Sequence, residues 1–223
     1  MITLKYFKKD ECVYWSHIDL LRHLNRTFRR AGFNVKYSAG FNPHMIVKLG
    51  VPLPVGVFSS AEYVTVDCNE EPEDFLRRYN EVCVKGLQGV ACWKTEKNPS
   101  LAAKVVYADY SIRALTEGFE KAIDEKVNAR SWVVWYPTRK DPNGEKDIAP
   151  LLCGIRAYPT SINVCIDALS MRADVLAKSF AQYFNLSTDA TEIWRFGQYV
   201  RVDGVLTPVD DYLTALSRKD GNA

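Results

Sequence analysis

The chain begins with the segment Met1-Ile2-Thr3-Leu4-Lys5-Tyr6-Phe7-Lys8. Its apolar and polar residues alternate, which is the pattern of a β-strand. A helix is predicted next, over residues 16–32. Ser16 and Asp19 form a capping pattern at its start, and Gly32 follows its last apolar position. A strand that is followed by an amphipathic helix indicates a mixed α and β fold, and the rest of the chain continues this order.

The first half of the chain has the predicted element order β-α-β-β-α-β. This is the order of the ferredoxin-like fold, a split βαβ unit. Further strands are predicted at residues 34–38, 61–68 and 87–94, and the second helix at residues 72–86. Residues 45–49, within a Gly- and Pro-rich stretch, are an additional candidate strand.

The second half repeats this order of elements. Strands are predicted at residues 105–114, 131–138, 153–157, 160–169 and 191–202, and helices at residues 116–130 and from Ser170 onward. The run Asp141-Pro142-Asn143-Gly144 indicates a turn. We therefore predict an α+β protein of two tandem ferredoxin-like β-α-β-β-α-β units, 1–97 and 104–223, the second with a short C-terminal tail. A single larger α+β domain is the alternative.

Composition excludes several broad classes. The chain has 223 residues, of which 47% are hydrophobic and 25% charged, so it is neither mostly disordered nor a disulfide-stapled miniature. No apolar run is long enough to span a bilayer, and the first residues lack the apolar core of a signal peptide, which favours the cytoplasm. None of the six cysteines forms a C-x-x-C pair, so they are predicted to be reduced. The cysteine triplet of a radical-generating iron–sulfur enzyme is absent from this sequence.

Charge is distributed unevenly along the chain. The total is only +2, but residues 1–58 carry nine bases and three acids, a balance of +6, and residues 59–96 carry four bases and eight acids, a balance of −4. Arg22, Arg26 and Arg29 are spaced to form one stripe on the first helix, flanked by His23 and Arg30. Arginine suits phosphates and stacks on bases, so this stripe is a candidate face for RNA or another anion. The alternative is an ordinary solvated helix face.

Ser16-His17-Ile18-Asp19 begins that first helix. Ser16 is predicted to cap it, and Asp19 complements the positive end of the helix dipole. His17 is a candidate for binding or proton transfer because a helix start attracts anions. A catalytic triad of these residues is excluded, since neighbouring positions on a helix do not face each other.

The run Tyr37-Ser38-Ala39-Gly40-Phe41-Asn42-Pro43-His44 has the composition of a functional loop. Phe41 and Tyr37 offer stacking surfaces, and His44 offers a side chain that titrates near neutrality. The alternative is a structural loop that buries Phe41 and holds His44 by a backbone hydrogen bond. Three histidines without an acidic cluster make a weak zinc site, and no P-loop or dinucleotide fingerprint is present.

Several of these motifs together resemble the radical-SAM-linked family of bacterial proteins, a domain of unknown function. The resemblance is weaker after residue 68, at Asp147-Ile148-Ala149-Pro150 and Ile193-Trp194-Arg195. The family usually continues its loop with His-Pro-Arg, whereas this chain has His44-Met45-Ile46, with Lys48 nearby. The matching runs are Tyr14-Trp15-Ser16-His17-Ile18-Asp19-Leu20-Leu21, Arg26-Thr27-Phe28-Arg29-Arg30-Ala31-Gly32, Tyr37 to His44, Pro52-Leu53-Pro54-Val55-Gly56 and Glu62-Tyr63.

The resemblance implies a partner and no particular reaction. Members occur fused to, or encoded beside, a radical SAM protein. That partner is expected to carry the iron–sulfur cluster and S-adenosylmethionine, and this chain is expected to bind neither.

We therefore expect an accessory module that binds RNA, or another anionic substrate, and presents it to a radical SAM protein. One alternative is an RNA-processing or RNA-modifying enzyme that uses His17 or His44 as a general base. Others are a pure protein-docking scaffold and small-molecule binding where the two halves meet. The candidate binding residues are Ser16, His17, Asp19, Arg22, Arg26, Arg29, Arg30, Tyr37, Phe41, Asn42, His44 and Lys48.

Overall fold

The computed structural model describes residues 1–114, 131–136, 138, 140–158, 160–183 and 191–221, and these form a mixed α+β protein. The strands in these ranges are β1 Ile2–Lys8, β2 Val47–Leu49, β3 Phe58–Val66, β4 Gly89–Lys94, β5 Val105–Ala114, β6 Val133–Trp135, β7 Glu145–Asp147, β8 Leu152–Tyr158, β9 Ser161–Asp167, β10 Thr191–Val202 and β11 Val205–Pro208. The five helices in these ranges are α1 His17–Arg30, α2 Pro72–Val82, α3 Leu101–Lys104, α4 Ala173–Tyr183 and α5 Val209–Gly221.

The described residues fall into two compact units. The first contains residues 1–105 and 199–223, and the second contains residues 106–198. The chain therefore passes between the units within β5 and β10. Separate domains at 1–97 and 104–223 stay a prediction, because a compact unit of a fold is not by itself an independently folding domain.

The first unit has the predicted element order β1-α1-β2-β3-α2-β4. Its strands lie in the order β4-β1-β3-β2, and every pair among these four is antiparallel. The predicted strand at 34–38 was wrong: Tyr37 forms only an isolated bridge with Met45. Helix α2 ends at Val82 and not at residue 86, because Cys83 already has an extended backbone. The tandem ferredoxin-like arrangement of the whole chain stays a prediction.

One face of this sheet packs on α1 and α2. Alternation in β1 directs Ile2, Leu4 and Tyr6 to the same side, where they are buried. Helix α1 contributes Leu24 and Phe28 to the same core cluster, and α2 contributes other apolar and aromatic residues. The amphipathic pattern that predicts α1 therefore also positions it on the sheet.

The opposite face of the sheet packs on α5. Asp210, at the start of α5, accepts hydrogen bonds from Lys5 Nζ at 2.6 Å and from the Tyr63 hydroxyl at 2.7 Å. Trp93 Nε1 donates to Thr214 Oγ1 at 3.0 Å. Because both faces are covered, consecutive residues of β3 from Ala61 to Val66 are buried. The C-terminal tail is thus part of the first unit.

The second unit contains the antiparallel strand order β5-β9-β8. The predicted turn at 141–144 is confirmed: Gly144 N donates to Asp141 O, and Asn143 N donates to the Asp141 carboxylate. This turn connects β6 to β7, a strand that the sequence analysis missed. Helix α4 agrees with the predicted final helix, and the predicted helix at 116–130 lies outside the described residues. No described helix is long and apolar enough to cross a bilayer.

Candidate functional site

Helix α1 begins with the predicted cap. Ser16 Oγ accepts a hydrogen bond from the Asp19 N–H at 3.2 Å and donates one to Asp19 Oδ2 at 2.7 Å. The Asp19 carboxylate also lies 3.7 Å from the Arg22 guanidinium. Ser16 and Asp19 therefore form the helix start, and their first role is structural.

Three arginines form a basic surface on α1, which we call the arginine stripe. Arg22, Arg26 and Arg29 are all exposed, as their spacing predicts. Arg30 differs, because its guanidinium donates to the carbonyl of Val82 at the end of α2 and to Thr27 Oγ1, both at 3.2 Å. Arg30 thus connects α1 to α2 and is not part of the stripe.

His23 does not add charge to the stripe. Its ring contacts Trp15, with ring centroids 4.7 Å apart. Burial lowers the pKa of His23, and the positive charges of Arg30 and Arg26 lower it further. Its Nε2 atom is buried and has no hydrogen-bond partner in the described part of the chain. His23 therefore favours its neutral form more than an ordinary histidine does.

Residues 37–44, which we call the aromatic loop, form a tight turn. Ser38 N donates to His44 O at 2.8 Å, and His44 N donates to Ser38 Oγ at 3.1 Å. The Ser38 hydroxyl also lies 2.9 Å from His44 Nδ1, so this side chain fixes the imidazole ring. Gly40 adopts φ of +120°, a conformation that favours glycine.

The aromatic loop exposes its aromatic side chains. Phe41 is fully exposed and Tyr37 is about half exposed, so the structural alternative that buries Phe41 is wrong. Asn42 and His44 are also exposed. Lys48 follows in β2, opposite Thr65, with its side chain exposed. The loop therefore exposes stacking surfaces, and an exposed cation, Lys48, follows it four residues later in the chain.

A second feature lies at the start of α1, and we call it the Lys8–Glu62 cleft. Its interior is about 10 Å³, roughly the space of one water molecule. His17 and Pro52 are exposed lining residues of the cleft. The cleft thus brings together three separate motifs of the sequence: Ser-His-Ile-Asp, Pro-Leu-Pro-Val-Gly and Glu-Tyr. The lining residues that carry polar side chains are Tyr6, Lys8, His17, Glu62 and Tyr63.

Two of these lining side chains are buried charges. Lys8 is 2% exposed and Glu62 is 5% exposed. Lys8 Nζ donates to the carbonyl of Trp15 at 3.2 Å, just before the helix cap. Glu62 lies opposite Tyr6 in the sheet register, on the face that packs against α1. Burial of opposite charges costs several kcal/mol of desolvation per ion, so their presence is weak evidence for stability.

Lys8 was not predicted from the sequence to be a site residue, and Glu62 was not among the predicted site residues either. A signal for Lys8 was present, because it continues the inward alternation of Ile2, Leu4 and Tyr6. A lysine at such a position is rarely buried without a partner. Glu62 belonged to a matching motif, but nothing local indicated that it would be buried.

The two candidate histidines lie in different surroundings. His17 lines the Lys8–Glu62 cleft, whereas His44 contacts Ser38 in the aromatic loop. No hydrogen bond, ion pair or ring contact joins them in the described ranges. Those ranges also contain no group of three or more His, Cys, Asp or Glu side chains that could hold a metal ion.

Comparison with known proteins identifies a family. No curated protein matches this chain. A family model described as "Uncharacterized protein conserved in bacteria (DUF2344)" matches residues 1–179. The match includes the arginine stripe, the aromatic loop and the Lys8–Glu62 cleft, and it covers most of the chain. This chain therefore belongs to the DUF2344 family of uncharacterised bacterial proteins.

Proposed function

We propose that this chain is an accessory module that binds RNA and presents it to a radical SAM protein. The observation that carries the RNA part is the exposed arginine stripe, Arg22, Arg26 and Arg29. Guanidinium groups donate in a planar fork that suits phosphate oxygens, and they also stack on bases. None of the three guanidiniums is buried, so a polyanion can approach each of them.

The aromatic loop supports the same proposal. Phe41 is fully exposed, so both faces of its ring are accessible to a binding partner. Single-stranded nucleic acids bind by stacking bases on aromatic rings while cations follow the backbone. Phe41 and Tyr37 would supply the stacking surfaces, and Lys48 would supply a cation.

The radical SAM part of the proposal rests on the motif resemblance. The partner would carry the iron–sulfur cluster and S-adenosylmethionine, since this sequence lacks the cysteine triplet. The β-α-β-β-α-β order of the first unit is compatible with paired ferredoxin-like RNA-binding proteins, which is an analogy of fold only.

Electrophoretic shift with tRNA and rRNA fragments over a salt series tests RNA binding. The triple variant Arg22→Ala, Arg26→Ala, Arg29→Ala should bind more weakly, and its salt slope should fall by about 2. A matched control removes three exposed arginines elsewhere: Arg77→Ala, Arg156→Ala and Arg218→Ala. Equal losses in both variants, or no salt-sensitive binding by the native chain, would overturn the proposal. Capture of the radical SAM protein that survives nuclease, together with no RNA affinity, would favour a docking scaffold.

A second candidate is an RNA-processing enzyme that uses His17 as a general base. The position of His17 in a cleft with buried Lys8 and Glu62 favours it over His44, whose ring is fixed by Ser38 on an exposed loop. In this case His17→Ala would abolish turnover of RNA and His44→Ala would not, with both variants folded by circular dichroism.

A further inference from the structure

Two cysteines of the second unit lie on neighbouring strands. Cys153 belongs to β8 and Cys165 to β9, which pairs with β8 in antiparallel orientation. The register shifts between Leu152, which pairs with Ile166, and Gly154, which pairs with Cys165. Such a β-bulge sets two residues of one strand against one residue of the other, so Cys153 and Gly154 together face Cys165. Opposite residues of an antiparallel pair have Cα atoms about 4.5–5.5 Å apart, within the roughly 4.4–6.8 Å that a disulfide spans.

The surroundings of Cys165 bring the two thiols together. Asp109 of β5 lies opposite Cys165 on its other side in the sheet register. Burial raises the pKa of the Cys165 thiol most, and hydrogen bonds and charge from Asp109 and then Cys153 raise it further. Cys165 is therefore held as a thiol between the Asp109 carboxylate and the Cys153 side chain. Gly154 does not obstruct their approach, because it contributes no side chain.

The two thiols differ in their access to an oxidant. All six cysteines lie in the described residues, and Cys153 alone among them is exposed. Oxidation of a cysteine follows its exposure and its thiolate character. Cys153 is therefore the thiol that an oxidant in solution reaches first. Burial raises the pKa of each of the four cysteines outside this pair, Cys12, Cys68, Cys83 and Cys92.

We propose that Cys153 and Cys165 are a redox-sensitive pair, which a peroxide oxidises to an intramolecular disulfide. First, the Cys153 sulfur attacks one oxygen of hydrogen peroxide, the O–O bond breaks, and Cys153 becomes a sulfenic acid as one water leaves. The Cys165 sulfur then attacks the sulfenic sulfur, the S–O bond breaks, and the hydroxyl leaves as a second water with the Cys165 proton. Two thiols thus lose two electrons and two protons to the peroxide, and a dithiol reductant reverses the change by thiol–disulfide exchange.

The bond would act on the edge of the second unit. β8 is at the end of the strand order β5-β9-β8, so a disulfide there joins an edge strand covalently to its neighbour. Both cysteines belong to the second unit, whereas the arginine stripe and the aromatic loop belong to the first. The proposed oxidation therefore does not depend on RNA binding, and failure of one proposal leaves the other standing.

Peptide mapping of the full chain tests the disulfide. The reduced chain is treated with hydrogen peroxide, its remaining thiols are alkylated, and the digest with trypsin is analysed by mass spectrometry. Trypsin cleaves after Arg156, so Cys153 and Cys165 lie in separate peptides, 147–156 and 157–172. We expect these two peptides to be joined, the number of free thiols to fall by two from the six of the reduced chain, and dithiothreitol to restore both. Retention of all six thiols, or a link through any other cysteine or between two chains, would overturn the proposal.

Variants of the pair test the order of the two steps. In Cys165→Ser the sulfenic acid of Cys153 has no thiol to attack it, so dimedone should label Cys153 after treatment with peroxide. In Cys153→Ser dimedone should not label Cys165, and Cys83→Ser, the matched control, should form the same disulfide as the native chain. Labelling of Cys165, or none of Cys153, would overturn the assigned order. If a variant fails to fold by circular dichroism, the peptide map of the native chain still decides whether the disulfide forms.

Discussion

The Lys8–Glu62 cleft and the aromatic loop both hold side chains in unfavourable surroundings, but the surroundings are opposite in kind. The cleft buries two charges, which costs desolvation, and the loop exposes a large apolar ring, which forfeits burial. The cleft depends on strands β1 and β3 and on the start of α1, so its geometry belongs to the core. The aromatic loop depends mainly on its own hydrogen bonds between Ser38 and His44. A substitution in the cleft should therefore change stability first, and one in the loop should change binding alone.

The largest expected effect is the loss of one charge from the cleft. Glu62→Ala removes the carboxylate from a cleft that also buries the Lys8 ammonium. If the two charges stabilise each other, we expect the free energy of unfolding to fall by about 3–5 kcal/mol. Urea denaturation followed by circular dichroism measures it. Lys48→Ala, an exposed lysine on β2, is the control and should change little. A loss below about 1 kcal/mol for Glu62→Ala would mean that the two regions do not differ in this respect.

The second effect belongs to the aromatic loop. Phe41→Ala should leave the free energy of unfolding within about 0.5 kcal/mol of the native value, because the ring has no core contacts to lose. Affinity for single-stranded RNA should fall by about 1–3 kcal/mol if one base stacks on the ring. Fluorescence anisotropy with a labelled oligonucleotide measures the affinity. Val205→Ala, another exposed apolar residue, should not change it. Equal affinity of the Phe41 variant and the native chain would remove the loop from the binding surface.

The aromatic loop and α1 could be predicted from sequence patterns, whereas the cleft could not, and the reason is physical. The start of α1 at Ser16 is set by local hydrogen bonds, and its stripe by helix geometry, so both follow from adjacent residues. The burial of Glu62 depends on its pairing with Tyr6, 56 positions earlier in the chain. The packing of Asp210 against Lys5 is more distant still, and no local pattern indicates that the C-terminal tail joins the first unit.

The third effect tests how far the cleft depends on the helix start beside it. Ser16→Ala removes the hydroxyl that accepts from the Asp19 N–H, and we expect a stability loss of about 1 kcal/mol, as for other N-caps. Ser16→Asp should restore most of it, because a carboxylate also accepts that bond. If Ser16→Ala lowers affinity for RNA as well, the cap positions a binding residue at the helix start. Unchanged affinity for RNA would confine Ser16 to stability.

The smallest effect is a dependence of stability on pH that arises at His23 on α1, outside both regions. Because burial and then the charges of Arg30 and Arg26 lower the pKa of His23 in the folded chain, the unfolded chain binds a proton more readily. The contribution is fully present above the ordinary histidine pKa of about 6.5 and is lost as pH falls through the lower folded value. Urea midpoints at pH 7.5 and pH 5.5 should therefore differ more for the native chain than for His23→Gln. His44→Gln is the matched control and should keep the native difference, since His44 lies exposed on the aromatic loop. If His23→Gln keeps the full pH dependence, the groups whose protonation lowers the stability of the folded chain lie elsewhere. His23 would then not be a buried titrating group of α1.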